Sequence, residues 1–343
     1  MFESVNNRTS PNWTFRLLSA AVVLSLVAGL ISTLQMTQMP LRSYSQPLPS
    51  LSSAQSELQG RLSAEVKYLS ETLGERNVWR AGSLQLAINH LRSNFQQSGY
   101  DVIERTYQVE GQVVSNVEVS VAGSQNDSGT LIVGAHYDTV AGTVGADDNA
   151  TGVAAVLELA RQLRGSKPRK NIRFVIFVNE EPPFFQTRRM GSLVYAQQLR
   201  RENVPVSAMI SLEMLGFYSD APGSQKYPAL LGLFYPNRGN FLGFVGNSES
   251  RDLVRRAIRG FRESTAFPSE GIAAPAEWPG IGWSDQWSFW QEHYPAIMIT
   301  DTALFRYPYY HTPLDTANRL DFERMARAVE GIQRVVTSLS ADR

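Results

Sequence analysis

Gly134 to Gly152 reads GAHYDTVAGTVGADDNATG and gathers His136, Asp138, Asp147 and Asp148 into one glycine-rich stretch of a chain with only four histidines. Further along come Glu180 and Glu181 in VNEE, Glu213 in SLEML and His311 in YPYYHTPLDT. Imidazole nitrogen mixed with carboxylate oxygen is a donor set that zinc accepts. His136, His311, Asp148, Glu181 and Glu213 suit two divalent ions sharing one carboxylate, because three carboxylates and one hydroxide offset two dications. Without cations the same carboxylates would repel one another. Glu180 is then left beside a ligand, free to act as a base. Neighbouring residues of a strand face opposite ways, so Glu180 and Glu181 share a site only where the strand has ended.

The elements that must position these groups have a common pattern. TLIVGAHYD, NIRFVIFVNEE, SAMISLEML and YPAIMITD are short apolar runs, too continuous for a sheet with one wet face, and predict central strands covered on both sides. His136 and Asp138 follow the first run, Asn179, Glu180 and Glu181 the second, Glu213 the third and Asp301 the fourth. Each therefore sits at a strand's carboxyl end, the edge of an open α/β sheet where ligands bind. Between the first two runs, Val153, Val156, Leu157, Ala160 and Leu163 form one helical stripe. The expected fold class is α/β, with a mixed, largely parallel central sheet covered by helices on both faces. NVEVSVAG alternates like a strand and pairs with YDVIERTYQV through Gly111, while DFERMARAVEGIQRVVTSL closes the chain as an amphipathic helix. His90 falls in a helix beginning at Ser83, and His293 precedes the fourth run at the opposite sheet edge, so neither joins the set.

Composition removes several alternatives. Thirty-two basic residues balance 32 acidic ones, leaving no global field to recruit nucleic acid. The chain has no cysteine, which excludes disulfides, thiolate metal sites and a cysteine nucleophile. Nothing charged lies between Leu17 and Leu41, a run near the roughly 20 residues that cross a bilayer, and Arg8 and Arg16 precede it. The expectation is a single-pass membrane protein: a cytoplasmic tail over 1–16, a signal anchor over 17–36, a Ser- and Pro-rich tether over 37–60, and an extracytoplasmic catalytic domain over 61–343. A cleaved signal peptide is the rival reading of the same segment, with Val27-Ala28-Gly29 as small residues for cleavage.

GAHYDTV, GADDNATG, VNEE, SLEML and YYHTPLDT occur in the order found in the zinc aminopeptidases related to bacterial leucyl aminopeptidase, aminopeptidase Y and glutamate carboxypeptidase, and the chain resembles that family from about Leu84 to its end. The resemblance implies a two-zinc exopeptidase acting on peptides, with cobalt or manganese as other candidate ions. It implies that His136 and Glu213 hold one zinc, that Glu181 and His311 hold the other, and that Asp148 bridges them. It implies Glu180 as general base toward a water held between the ions, Asp138 as the group orienting His136, and a cis peptide from Asp148 to Asn149. Asp147 is assigned to capping the helix that starts near Asn149.

Gln286 in Ser284-Asp285-Gln286 departs from the family, whose members commonly carry histidine there; glutamine cannot ionise. Asp285, Gln286 and Tyr310 are the candidate substrate-side residues, Tyr310 as one of three tyrosines around His311 whose hydroxyls can steady an oxyanion. Arg188 and Arg189 follow the paired glutamates, first as part of a solvated loop and alternatively as groups that favour an acidic substrate end. EWPGIGWSDQWSFW concentrates four of the six tryptophans, as core packing or as a hydrophobic side-chain pocket. A glutaminyl cyclase-like transferase and a non-catalytic scaffold on the same fold are the alternative functions. Oligomeric state is not legible.

Overall fold

A computed structural model describes residues 13–125 and 129–342. The chain divides into two compact units, Met1–Gln38 and Met39–Arg343. The first contains helix α1 (Trp13–Thr37), with Leu17, Leu18, Leu24, Val27, Ile31 and Leu34 exposed. Among the described residues no helix is long and apolar enough to cross a membrane. Several positions of α1, and most of the tail expected over 1–16, lie outside the described residues.

The second unit is built on one eight-stranded sheet. Its strands are β1 (Ile103–Val109), β2 (Gln112–Val121), β3 (Thr130–His136), β4 (Asn171–Phe177), β5 (Val206–Glu213), β6 (Leu242–Asn247), β7 (Ser269–Ala274) and β8 (Ala296–Thr300), in the spatial order β1-β2-β4-β3-β5-β8-β6-β7. The central four, β4-β3-β5-β8, are mutually parallel, with antiparallel joins on either side where β2 meets β4 and β6 meets β8. The sheet is thus mixed and mostly parallel, as the apolar runs predict. β1 and β2 form the expected hairpin, turning through Glu110 and Gly111, both at positive φ (49° and 74°), a combination that matches the twist of paired strands.

Strand alternation explains how both faces are covered. Leu131, Val133, Ala135, Ile172, Phe174 and Ile176 share one core with α4 (Gly152–Leu163) and α8 (Phe322–Ala341). Phe177 points the other way and meets Tyr195 of α5 (Gly191–Arg201) and Phe289 of α7 (Gln286–Gln291) at 5.7 and 6.2 Å between ring centroids. α6 (Arg251–Ser264) packs with α8, and α8 in turn packs with α2 (Ser53–Lys67). α3 (Ser83–Gln97) buries Leu84, Ile88, Leu91 and Phe95 as its spacing predicts.

The tether expected over 37–60 is corrected from Met39 onward: this stretch belongs to the folded unit. Arg262 donates to the Pro40 and Leu41 carbonyls (3.0 and 2.9 Å), the Ser43 hydroxyl accepts from the Ser269 amide at 2.9 Å, and Arg327 donates to the Pro49 carbonyl. Ser52 and Gln55 then form a capping box, and α2 buries Leu58, Leu62 and Val66. The Pro- and Ser-rich composition hid a strap whose carbonyls find their donors on distant arginines.

Candidate metal centre

The parallel register sets His136 opposite Phe177 and Gly134 opposite Ser211, so β3, β4 and β5 end nearly flush. His136 and Glu213 are the last residues of β3 and β5. Past β4 the chain turns at Asn179, at φ 58°, and Glu180 and Glu181 follow outside the ladder, which lets both face one site. The Asp138 carboxylate clasps this turn, one oxygen accepting from the Glu180 amide and the other from the Glu181 amide, each at 3.1 Å.

Asp148 lies at the middle. Its Oδ1 is 3.3 Å from His136 Nε2 and its Oδ2 is 3.1 Å from His311 Nε2. Glu213 Oε2 stands 3.4 Å from His136 Nε2, and Glu181 Oε2 stands 3.2 Å from His311 Nε2. Three triads result: His136-Asp148-Glu213 and Asp148-Glu181-His311, with Asp148 common to both, and His136-Glu180-Glu181. Glu180 Oε2 is farther from His136 Nε2, at 3.8 Å. Asp138 holds His136 through its backbone more closely than through its carboxylate: Nδ1 is 3.2 Å from the carbonyl oxygen and 3.6 Å from Oδ1.

The electrostatics are those of a site made for cations. His136 Nε2 and His311 Nε2 are buried without hydrogen-bond partners, both facing the Asp148 carboxylate. Burial would push the His136 imidazolium down, yet Glu213 and Glu180 and the contacts to Asp138 and Asp148 hold it well above its usual range. His311 is pushed up to about 10 by Asp148 and Glu181 against the effect of burial. Glu181 is pushed up to about 8 by burial and by the Asp148 charge, and burial also raises Glu180 and Glu213 against the pull of His136. Asp148, although buried, is held below the carboxylate range by the two imidazoles. Protons thus stand where dications would otherwise balance the charge, and two nitrogens with at least three carboxylates match the borderline donor set of zinc.

Several supporting groups were missed by sequence reasoning. Asn149, whose peptide bond to Asp148 is cis, donates to the Leu212 carbonyl at 2.9 Å and to Glu213 Oε2 at 3.2 Å, and accepts from the Gly152 and Met214 amides. The Ser284 hydroxyl donates to the same Glu213 oxygen at 2.6 Å. Asp315 accepts from the Asp147 and Asp148 amides and from the Tyr307 hydroxyl. Arg76 is fully buried and donates to the carbonyls of Tyr137, Leu69, Gly74, Val144 and Gly145, joining the loops on either side of the centre. A Cβ on Gly145, at φ 55°, would lie 2.3 Å from the Asp148 carbonyl oxygen, so this tight approach needs glycine.

Other expectations are corrected. Asp147 does not cap a helix: its carboxylate accepts from the Gly216 amide and the Thr151 hydroxyl, tying the loop to the end of β5. Gln286 is fully buried, donates to the Ile281 carbonyl at 2.9 Å and presents no surface to a substrate. Asp285 is likewise buried, with neither carboxylate oxygen paired. Of the tyrosines, Tyr307 is engaged with Asp315, whereas Tyr310 stacks on His311 at 3.7 Å and lines an apolar pocket that reaches Glu213. The tryptophans divide: Trp283 lines that pocket and stacks on Phe305, while Trp290 is buried and donates to the Ala296 carbonyl. His90 pairs with Glu65 at 2.6 Å and His293 is exposed at a turn, both outside the triads.

Residues 116–336 match the sequence profile of Peptidase family M28. The uncharacterized protein YfbL of Escherichia coli strain K12 is 38% identical over 281 residues, 79% of this chain and 85% of that protein. BSAP, a zinc aminopeptidase from Bacillus subtilis, superposes with a TM-score of 0.67 at 14% identity, over 83% of this chain and 95% of that one. A glutaminyl cyclase from Porphyromonas gingivalis does so with a TM-score of 0.60 at 17% identity, over 82% and 97%. At such identities the last two establish likeness of fold.

Proposed function

From the premise that this chain belongs to peptidase family M28 and is a zinc metallopeptidase, we propose that it is an aminopeptidase that removes residues from the amino end of peptides with two zinc ions. The observation that carries the reading is the pair of triads sharing Asp148, with a further carboxylate, Glu180, beside them. His136, Asp148 and Glu213 would hold one ion, and Asp148, Glu181 and His311 the other. When bound, zinc polarises a peptide carbonyl and lowers the pKa of water. Glu180, buried beside that pair of triads, takes a proton from the attacking water and hands it to the leaving amine. Tyr310, stacked on His311, offers its hydroxyl to the developing oxyanion. The pocket walled by Phe241, Phe244, Ile272, Trp283, Met298 and Phe305 suits an apolar side chain on the first residue, and the surrounding acids suit its ammonium group.

The test is hydrolysis of leucyl anilide against its N-acetyl derivative, with zinc counted in the same preparation. Cleavage of the free form alone, at about two zinc per chain, supports the reading; cleavage of both, or of neither, sinks it. The likeness of fold to a glutaminyl cyclase motivates a second reading, in which a peptide beginning with glutamine loses ammonia without chain cleavage. Mass spectrometry of that peptide separates the two.

The proposed location is the outer face of a membrane, with 17–36 as the anchor. Its support is the charge-free run from Leu17 to Leu41 behind Arg8 and Arg16. Retention of the full chain in membranes washed with alkaline carbonate is expected; release at this step would exclude an anchor.

A further inference from the structure

The turn that carries the paired glutamates continues into Pro182–Met190, which meets the segment Glu75–Arg80 across an open groove lined by Trp79, Glu110, Pro183, Phe184, Thr187, Arg188 and Arg189. Both walls are bonded to the metal centre's own loops. Phe184 donates its amide to the Glu181 carbonyl at 2.9 Å, and Asn77 and Glu75 hold the loop after Asp138 through the Thr139 carbonyl and the Gly142 amide. The Pro182–Met190 loop is pinned in turn: Gln186 donates to the Gly282 carbonyl at 3.0 Å and Tyr107 to the Arg189 carbonyl at 2.9 Å. Trp79 is 55% exposed yet stacked on Phe184, rings 5.6 Å apart and 11° from parallel.

The two arginines differ. Arg189 is paired with Glu110. Arg188 is exposed and has no hydrogen bond or ion pair among the described residues. The apolar pocket reaches the centre through Glu213 and Tyr310, whereas this groove adjoins the turn that carries Glu181, through Pro183 and Phe184. We propose that the groove receives the leaving side of the substrate, with Arg188 binding a carboxylate there and the Trp79–Phe184 stack bearing on the side chain next to the cleaved bond. The inference rests on the aminopeptidase reading. A carboxylate at this position comes either from the free carboxyl end of a short peptide or from an acidic side chain.

The experiment measures kcat/KM of the zinc-loaded full chain on two matched pairs: leucyl-leucine against leucyl-leucine amide, and leucyl-aspartate amide against leucyl-asparagine amide. Leucyl anilide serves as the reference. A preference of about fivefold for the charged member of one pair, carried by KM, is expected, and the pair that shows it identifies the source. Arg188→Gln should bring that ratio to about one, Arg188→Glu should invert it, and Arg189→Gln should leave it in place. Equal rates within both pairs, or a preference unmoved in Arg188→Gln and Arg188→Glu, overturn the inference while anilide hydrolysis keeps the aminopeptidase reading standing. Failure to split the anilide and all four peptides overturns both.

Discussion

Glu180 and Glu181 are neighbours in the chain with different surroundings. Glu181 lies 3.2 Å from His311 Nε2 in a triad with Asp148, whereas Glu180 lies 3.8 Å from His136 Nε2. Removing the charge of Glu180 should therefore affect proton transfer and spare the metal: Glu180→Gln is expected to lose roughly 10²–10⁴ in kcat with zinc content unchanged. Comparing turnover with metal analysis on one sample checks this, and loss of zinc would instead make Glu180 a ligand. Asp285 poses a different problem. Burial pushes its pKa up to about 7 from 3.8, with both oxygens unpaired. Between pH 3.8 and about 7 the unfolded chain has released this proton while the folded one retains it. The contribution of Asp285 to stability is thus full below that window and falls through it by up to about 1.4 kcal/mol per pH unit. Asp285→Asn removes the dependence, so denaturant unfolding of the two metal-free proteins should diverge from pH 4 upward in favour of the variant. Parallel curves would show that Asp285 stays ionised in the fold.

At the scale of elements, Arg76 decides whether two loops stay together. It reaches the Tyr137 carbonyl just past β3 and the Val144 and Gly145 carbonyls before Asp148, and it also holds Leu69 and Gly74 at the end of the α2 segment. Arg76→Met keeps much of the volume but strands these carbonyls, and a loss of about 3 kcal/mol or more in unfolding free energy is expected, with weakened zinc binding. Chemical denaturation and a metal-chelator competition measure the two effects separately; an unchanged protein would mean that the loops hold without it. Nothing in GERNVWR announces this role, because one arginine in a polar segment looks like any solvated one. His136, Glu181 and Glu213 were legible for the opposite reason: each stands where an apolar run stops, so the strand pattern shows both the residue and its edge of the sheet, whereas Asp148 and His311 lie in loops and were legible through the motifs GADDNATG and YYHTPLDT. Ser284 and Asp315 act through partners 71 and 168 positions away, a separation that local spacing does not encode. The strap over 39–52 was misread on the same ground, since the donors that order it, Arg262 and Arg327, lie more than 200 residues later.

Over the whole molecule, the segment between Met39 and β1 both braces the metal centre, through Arg76, and walls one side of the groove beside the paired glutamates, through Trp79. The four central strands deliver His136, Glu213 and the paired glutamates to one edge, and the loop after β8 folds His311 back onto Asp148. Such an arrangement gathers like charge that the fold alone does not relieve, and ligand protonation follows from it: at pH 7 the metal-free site retains protons on His311, whose pKa is about 10, and on Glu181, whose pKa is about 8. Zinc must displace those protons, because its ligands are neutral imidazole and carboxylate. Apparent zinc affinity is therefore expected to climb as pH rises from about 6 through 8 and to keep climbing toward 10, as first Glu181 and then His311 cease to compete. Removal of zinc should lower the melting temperature by an amount that grows over the same range, since an ion that binds only the folded state stabilises it by its occupancy. Chelator competition and thermal unfolding at several pH values, in buffers that bind zinc weakly, test this together. A flat affinity profile would mean that the two imidazoles and Glu181 already stand deprotonated, and that the like charge is relieved by a rearrangement of the loops rather than by protons.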